Sequence, residues 1–326
     1  MRIKKGACKM TPKENFYAMI NGDQPEYSPC FYLDFNVSTS MTNFVEMTWA
    51  GGPDVFGVNW SKTPEGALPT PGQFMFTEVT DWEKYVKFPD VESLGLEKGA
   101  AVDRQNVDPN KPTAVFSVCG LFERLAAFMG FENTLIALAE DPEECMKFVD
   151  AFTDFRIKVL EKNIELMKPD MIIMFDDIAT VRSTFMSPEC WREVYKPFTK
   201  KIVDFVRSKG VIYSQHTCGK CEDVISDYVD IGVQWWNAAQ AMNDLTGIME
   251  KYGNRLIVDG GWDSEGPASF VDAPPEAVIA ETERCLREYA KYNNFSFFPV
   301  LASRGTPEDA ATLGLVLQTW AQGCRH

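Results

Sequence analysis

Basic residues are the scarcer charge in this 326-residue chain, where 32 Lys and Arg stand against 47 Asp and Glu, a formal net charge of −15. A surface of that sign repels phosphate backbones and anionic headgroups, which argues against nucleic-acid and membrane-surface partners. Long apolar runs are missing as well. No stretch approaches the roughly 20 apolar residues of a spanning helix. The opening Met1-Arg-Ile-Lys-Lys-Gly6 leads into polar residues rather than the apolar core of a signal peptide. There is no Gly-x-Gly-x-x-Gly turn, which counts against a dinucleotide-binding open sheet. Histidine is rarest of all: His216 and the final residue, His326.

The nine cysteines are odd in number and scattered, without the density of a secreted disulfide scaffold. A reducing, cytoplasmic setting with free thiols is the expectation. A content of 45% hydrophobic, 13% aromatic and 24% charged residues is ordinary for a globular protein. No repeat or linker-like tract divides the chain, so residues 1–326 are read as one domain.

Short β-rich runs alternate with helical patterns. Strands are expected at residues 28–35, 54–60, 113–118, 171–175, 211–215, 232–236, 255–259 and 295–300. Helices are expected at 143–168, 188–208, 223–229, 245–252, 275–292 and 307–321, several opening on Asp/Ser/Thr-Pro-Glu start signals. Eight strands alternating with helices predict an α/β fold, a (β/α)8 TIM barrel. Residues 61–112, rich in Pro and Gly, break the rhythm after the second strand. They read as an insertion that covers the barrel mouth or packs as a surface excursion.

His216 lies in Val211-Ile-Tyr-Ser-Gln-His-Thr-Cys-Gly-Lys-Cys221, at the C-terminal end of the fifth expected strand. Strand residues two apart share a face, so His216 and Cys218 project together at the barrel mouth. Imidazole and thiolate are zinc ligands, and zinc takes three or four. Cys119, Cys190 and Cys221 stand at the correct end, with Cys119 and Cys221 the candidates for a third ligand. Cys30, Cys145, Cys285 and Cys324 fall within helices or far from the mouth and read as structural. The carboxylates Asp34, Asp176, Asp177, Asp259 and Asp263 converge on the same end, with Trp60, Trp235, Trp236 and Trp262. Asp176 and Asp177 either serve the site or cap the next helix. Acids and aromatics with few cations suit a neutral or cationic ligand with flat, apolar parts. Asp176, Asp177 and Asp259 are the candidate catalytic acids; Asp34, Trp60, Trp236 and Trp262 are candidate substrate contacts.

Met171-Ile-Ile-Met-Phe-Asp-Asp177, then Phe185-Met-Ser-Pro-Glu-Cys-Trp-Arg-Glu-Val-Tyr-Lys-Pro197, then His216-Thr-Cys-Gly219 resembles the uroporphyrinogen decarboxylase superfamily, and more closely its corrinoid-dependent methyltransferase branch. The resemblance runs from about residue 113 to the C-terminus. It implies a (β/α)8 barrel, a zinc ion held in part by His216 and Cys218, and methyl transfer involving a cobalamin carried on a separate corrinoid protein. Two departures matter. Relatives that activate a thiol acceptor add a Cys just before the last helix, and Phe298-Pro-Val-Leu-Ala-Ser-Arg-Gly-Thr306 has none. The decarboxylase proper carries an N-terminal Arg-rich motif for porphyrinogen carboxylates, and Tyr27-Ser-Pro-Cys-Phe-Tyr-Leu-Asp-Phe35 has no Arg.

The expected activity is therefore a zinc-dependent methyltransferase working between a small methylated substrate, such as an aryl methyl ether, and the cobalamin of a partner protein. The alternatives are a methylcobamide:thiol methyltransferase, a uroporphyrinogen decarboxylase-like lyase, and a catalytically silent ligand-binding barrel. Nothing in the sequence bars a homo-oligomer.

Overall fold

A computed structural model describes residues 9–39, 50–63 and 66–324 of the chain. His326 lies outside the described residues. In chain order the strands are β1 (Asn36–Ser38), β2 (Gly52–Pro53), β3 (Asn59–Thr63), β4 (Gly66–Pro69), β5 (Thr113–Ser117), β6 (Met171–Phe175), β7 (Ile212–His216), β8 (Trp235–Ala239), β9 (Ile257–Gly261) and β10 (Phe295–Phe298). β1 and β5 to β10 form one parallel sheet in that order, while β2, β3 and β4 form a separate antiparallel one. The parallel sheet curls until its ends meet. Cys30 bridges in parallel to Phe297, whose N–H donates to the Pro29 carbonyl at 2.8 Å. Helices alternate with the strands from β5 onward, which makes the fold TIM-barrel-like. Seven strands and the single bridge at Cys30 fill the eight staves.

Two expected strands depart from this plan. Over residues 28–35, the Asp34 carboxylate accepts from the Cys30 N–H at 2.8 Å and winds Phe31–Asp34 into a helical turn, so regular pairing starts only at β1. Over residues 54–60, Asp54 Oδ1 accepts from the Phe56 and Val58 N–H groups at 2.9 and 3.0 Å. That side-chain turn, with Gly57 at φ +89°, turns the chain into the antiparallel sheet rather than the barrel. The strands expected at 232–236 and 255–259 slide to β8 and β9. The helix expected over 188–208 breaks at Tyr195 into Pro188–Val194 and Lys196–Ser208.

Strand alternation sorts the core. On β6, Met171 and Ile173 face the barrel interior, while Ile172 and Met174 face the helices. Phe16 and Met19 of the helix Pro12–Asn21 enter the inner cluster, and Lys13 of that helix pairs with Asp170 at the start of β6. That helix therefore closes the N-terminal end of the barrel. After β4 the chain runs along the helix Pro142–Met167. Trp82 Nε1 donates to Glu144 at 3.2 Å, Phe88 lies against Phe152 and Phe155, and Lys162 pairs with Glu92 and Glu97. A second link is an ion pair with both side chains fully buried, Arg124 Nη1 to Asp54 Oδ2 at 2.7 Å, whose guanidinium lies 4.9 Å over the Phe56 ring.

Candidate metal centre

β6 ends on Phe175 and delivers two adjacent carboxylates that diverge at once. Asp176 turns back to the start of the helix Leu121–Met129, where its Oδ1 accepts from the Phe122 and Glu123 N–H groups at 3.0 and 3.1 Å. A carboxylate there satisfies orphan amides and complements the helix dipole. Gly120 permits the approach, because a Cβ at that position would overlap the Asp176 side chain. Asp177 instead faces the mouth, with its side chain 38% exposed. Its Oδ1 accepts from the Cys218 N–H at 2.7 Å and stands 4.0 Å from His216 Nε2.

His216 closes β7 and points inward, as the two-residue period predicts. Its ring stacks on Phe175 with centroids 3.9 Å apart, Nδ1 lies 2.5 Å from Asn237 Oδ1, and Nε2 lies 3.4 Å from Cys218 Sγ. Burial holds the imidazole below its ordinary value, so the ring is neutral at pH 7. Burial pushes the Cys218 thiol well up, and Asp177 and Glu123 add to the shift. A cation entering between these groups would displace the thiol proton.

One ligand atom from each of Asp177, His216 and Cys218 lies within 4.8 Å of the others, and among the described residues this is the His/Cys/Asp/Glu group of three or more that meets that spacing. Imidazole nitrogen, thiolate and carboxylate oxygen suit zinc, with a fourth position left for a substrate or water. The donor set fits the metal.

Cys119 and Cys221 do not join it. Cys119 lies two residues past the end of β5 in a left-handed conformation, φ +62°, with its carbonyl accepting from Arg156 at 2.5 Å. Cys221 is buried and donates its N–H to Asn243 Oδ1 at 3.0 Å. Asp259 is fully buried on β9 and accepts from Asn237 Nδ2 at 2.6 Å; burial pushes its carboxyl up to about 6. Asp34 is occupied by the turn it closes and by the Tyr27 hydroxyl. Trp60 is on the flank, donating to Asp54 Oδ2 at 3.0 Å. Trp236 and Trp262 lie in the layer between sheet and helices, donating to the Thr217 carbonyl and to Ser269 Oγ at 3.3 and 2.7 Å.

The aromatics beside the donor set are phenylalanines. Phe116, Phe175 and Phe298 belong to the inner cluster, and Phe298 meets His216 edge-on at 6.4 Å between centroids. The sequence reading passed over them and over Asn237, although strand alternation places all four inward. It also gave no role to Glu123, whose carboxyl is pushed up by burial and by Asp177 and Asp176.

Backbone strain accompanies the site. β8 shifts register against β9 between Asn237 and Ala239, and Ala238 takes φ +56°. A non-glycine residue in that region costs roughly 1–2 kcal/mol. Gly260 accommodates the bulge, since a Cβ there would overlap the Ala239 backbone.

Residues 50–297 match the family model of uroporphyrinogen decarboxylase (URO-D), most of the chain and all but one of the parallel strands in full or nearly so. The chain belongs to the uroporphyrinogen decarboxylase family. No curated protein matches this URO-D family member. Among solved structures it is similar to a methyltransferase from Methanosarcina mazei, with a TM-score of 0.67, 15% identity, and coverage of 96% of this chain and 99% of that one. That likeness bears on the fold. A D-psicose 3-epimerase from Clostridium cellulolyticum H10 also aligns, with a TM-score of 0.37, 8% identity, and coverage of 76% and 84%. No helix among the described residues of the URO-D chain is long and apolar enough to cross a membrane.

Proposed function

We propose that the chain is a cytoplasmic zinc-dependent methyltransferase, moving a methyl group between a small methylated substrate and the cobalamin of a separate corrinoid protein. The observation that carries the reading is the convergence of Asp177, His216 and Cys218 at the mouth of the barrel. Membership of the URO-D family and the fold shared with a methyltransferase support it. The absence of any Arg in residues 27–35 weighs against a polycarboxylate substrate and decarboxylation.

Asp177, His216 and Cys218 would hold the zinc. When bound there, the ion would supply Lewis acidity toward the heteroatom that carries the methyl group. Phe175 packs flat on His216, and with Phe116 and Phe298 it forms an apolar wall that excludes water and suits a flat substrate such as an aryl methyl ether. Asp176 acts at a distance, pinning the helix that starts at Leu121 and thereby the turn that aims Asp177. A carboxylate as the third ligand, with no Cys in residues 298–306, favours the methyl-donor side over thiol methylation.

Elemental analysis tests the centre: about one zinc per chain is expected in the wild type, as for a three-ligand catalytic site, and none in His216→Ala or Cys218→Ala of unchanged circular dichroism. The purified protein with zinc and a reduced corrinoid protein should then give a methylcobamide absorption spectrum with a member of a panel of methyl donors. A metal-free wild type, or no spectral change across the panel, would sink the proposal.

A further inference from the structure

The parallel register places His216 of β7 beside Asn237 of β8, and Asn237 beside Asp259 of β9. All three side chains point inward at one level and touch in sequence, His216 Nδ1 to Asn237 Oδ1 at 2.5 Å and Asn237 Nδ2 to Asp259 Oδ2 at 2.6 Å. A carboxylate only accepts, so Asp259 dictates which end of the Asn237 amide faces it: the NH2 group. The amide oxygen is then left for His216, and it can only accept. The ring proton must therefore sit on Nδ1. Nε2 keeps its lone pair, and it is Nε2 that faces Cys218 Sγ at 3.4 Å and Asp177 Oδ1 at 4.0 Å.

We infer that Asn237 and Asp259 are positioning residues, a relay that fixes the His216 tautomer with its Nε2 lone pair directed at the donor set. The inference rests on the metal reading of that set, but the tautomer belongs to the metal-free protein and can be measured there. The opposite tautomer would drive an N–H into the space between the three donors and close it to any cation. The strained turn at Ala238 belongs to the same device. It follows Asn237 directly, and Gly260, which follows Asp259, is the position that makes room for it.

Only two histidines occur in the chain, so a 15N-histidine-labelled sample gives two ring spectra, and His326→Gln assigns them. Metal-free wild type at pH 7.5 should show His216 with its proton on Nδ1. Asp259→Asn lets the Asn237 amide take either sense, and the spectrum should move toward the Nε2–H form. Asn237→Leu removes the acceptor, whereas Asn237→Asp keeps an oxygen against Nδ1 and should restore the wild-type tautomer. In competition with a chromophoric chelator, Asp259→Asn and Asn237→Leu should bind zinc about 10–100-fold more weakly, the loss typical of an outer-shell partner, with Asn237→Asp recovering most of it.

An Nε2–H ring in the wild type would overturn the inference, whether or not any variant folds. So would zinc binding by Asp259→Asn and Asn237→Leu indistinguishable from wild type, which would leave the metal centre standing without its relay. A wild type with an Nδ1–H ring and no affinity for zinc would do the reverse, upholding the tautomer and removing the metal reading.

Discussion

The flank and the mouth of this barrel both gather ionisable side chains, and they use them differently. On the flank, Arg124 and Asp54 meet at 2.7 Å with neither side chain exposed, and Asp54 also accepts from Trp60 and from two backbone N–H groups of its own turn. The carboxylate has its counter-charge and its donors in place. At the mouth, Asp177, His216 and Cys218 approach one another with no Lys or Arg among the described residues paired to them: one acid, one neutral imidazole and one thiol held protonated by burial. The first cluster holds its own counter-charge and ties one part of the chain to another. The second gathers the donors that a bound cation would complete. On the flank each charged group meets its complement, whereas at the mouth the donors face one another.

Substitutions can break this contrast from either side. The largest effect on stability should come from the flank: Arg124→Met strands the Asp54 carboxylate and should cost about 3–5 kcal/mol in denaturant unfolding. Zinc content should stay at the wild-type level in whatever fraction folds. Loss of metal at equal fold would tie the two clusters together.

Asp259→Asn should act in the opposite sense. The folded-state value of this carboxyl is about 6 against an ordinary 3.8, so the folded chain holds the proton more tightly than the unfolded one. The penalty for ionising it is complete above about pH 6 and fades as the pH falls toward 4. The metal-free variant should therefore be more stable than wild type by about 2–3 kcal/mol at pH 7.5, with the gap closing by pH 4. A substitution that strengthens the fold while loosening the metal would mark Asp259 as retained for its site. Equal stability at both pH values would argue that folding leaves the Asp259 carboxyl at its ordinary value.

Gly260→Ala should fall between the two regions, since its Cβ meets the Ala239 backbone and forces the bulge to shift. About 1–3 kcal/mol of stability should be lost, as in overpacked sites, together with zinc affinity. An unchanged affinity would detach the bulge from the centre. The smallest effect belongs to Trp60→Phe, which removes one hydrogen bond worth about 1 kcal/mol and should leave methyl transfer and zinc untouched. A rise in the KM for the methyl donor would put Trp60 back at the substrate.

How far the sequence reveals these regions depends on how local their causes are. The inward pairing of His216 and Cys218 follows from strand periodicity, and the expected strand at 211–215 differs from β7 by one residue. Asp176 and Asp177 are neighbours whose opposite destinations depend on a helix starting more than fifty residues earlier, at Leu121, which strand spacing does not reveal. Proximity in sequence to the strand ends points the tryptophans at the mouth. One residue of alternation sends Trp235 into the barrel and Trp236 out of it. The first two expected strands fail for a common reason: Asp34 and Asp54 each turn on their own backbone, and a side-chain hydrogen bond of that kind outcompetes a ladder that has yet to form.

The meeting of the sheet's two ends has a consequence for how the barrel breathes. Its ends join through a bridge at Cys30 and the Phe297 amide, a clasp too short to hold a hoop by itself. The last helix, Pro307–Gly323, buckles it. Trp320 stacks on Phe297 at 4.0 Å and donates to the Ser28 carbonyl, while the Ser28 N–H reaches the Cys324 carbonyl at 3.0 Å. Solvent exchange of the Phe297 amide should then follow fraying of that helix rather than global unfolding, so that the far end of the chain sets the tempo at which the hoop opens.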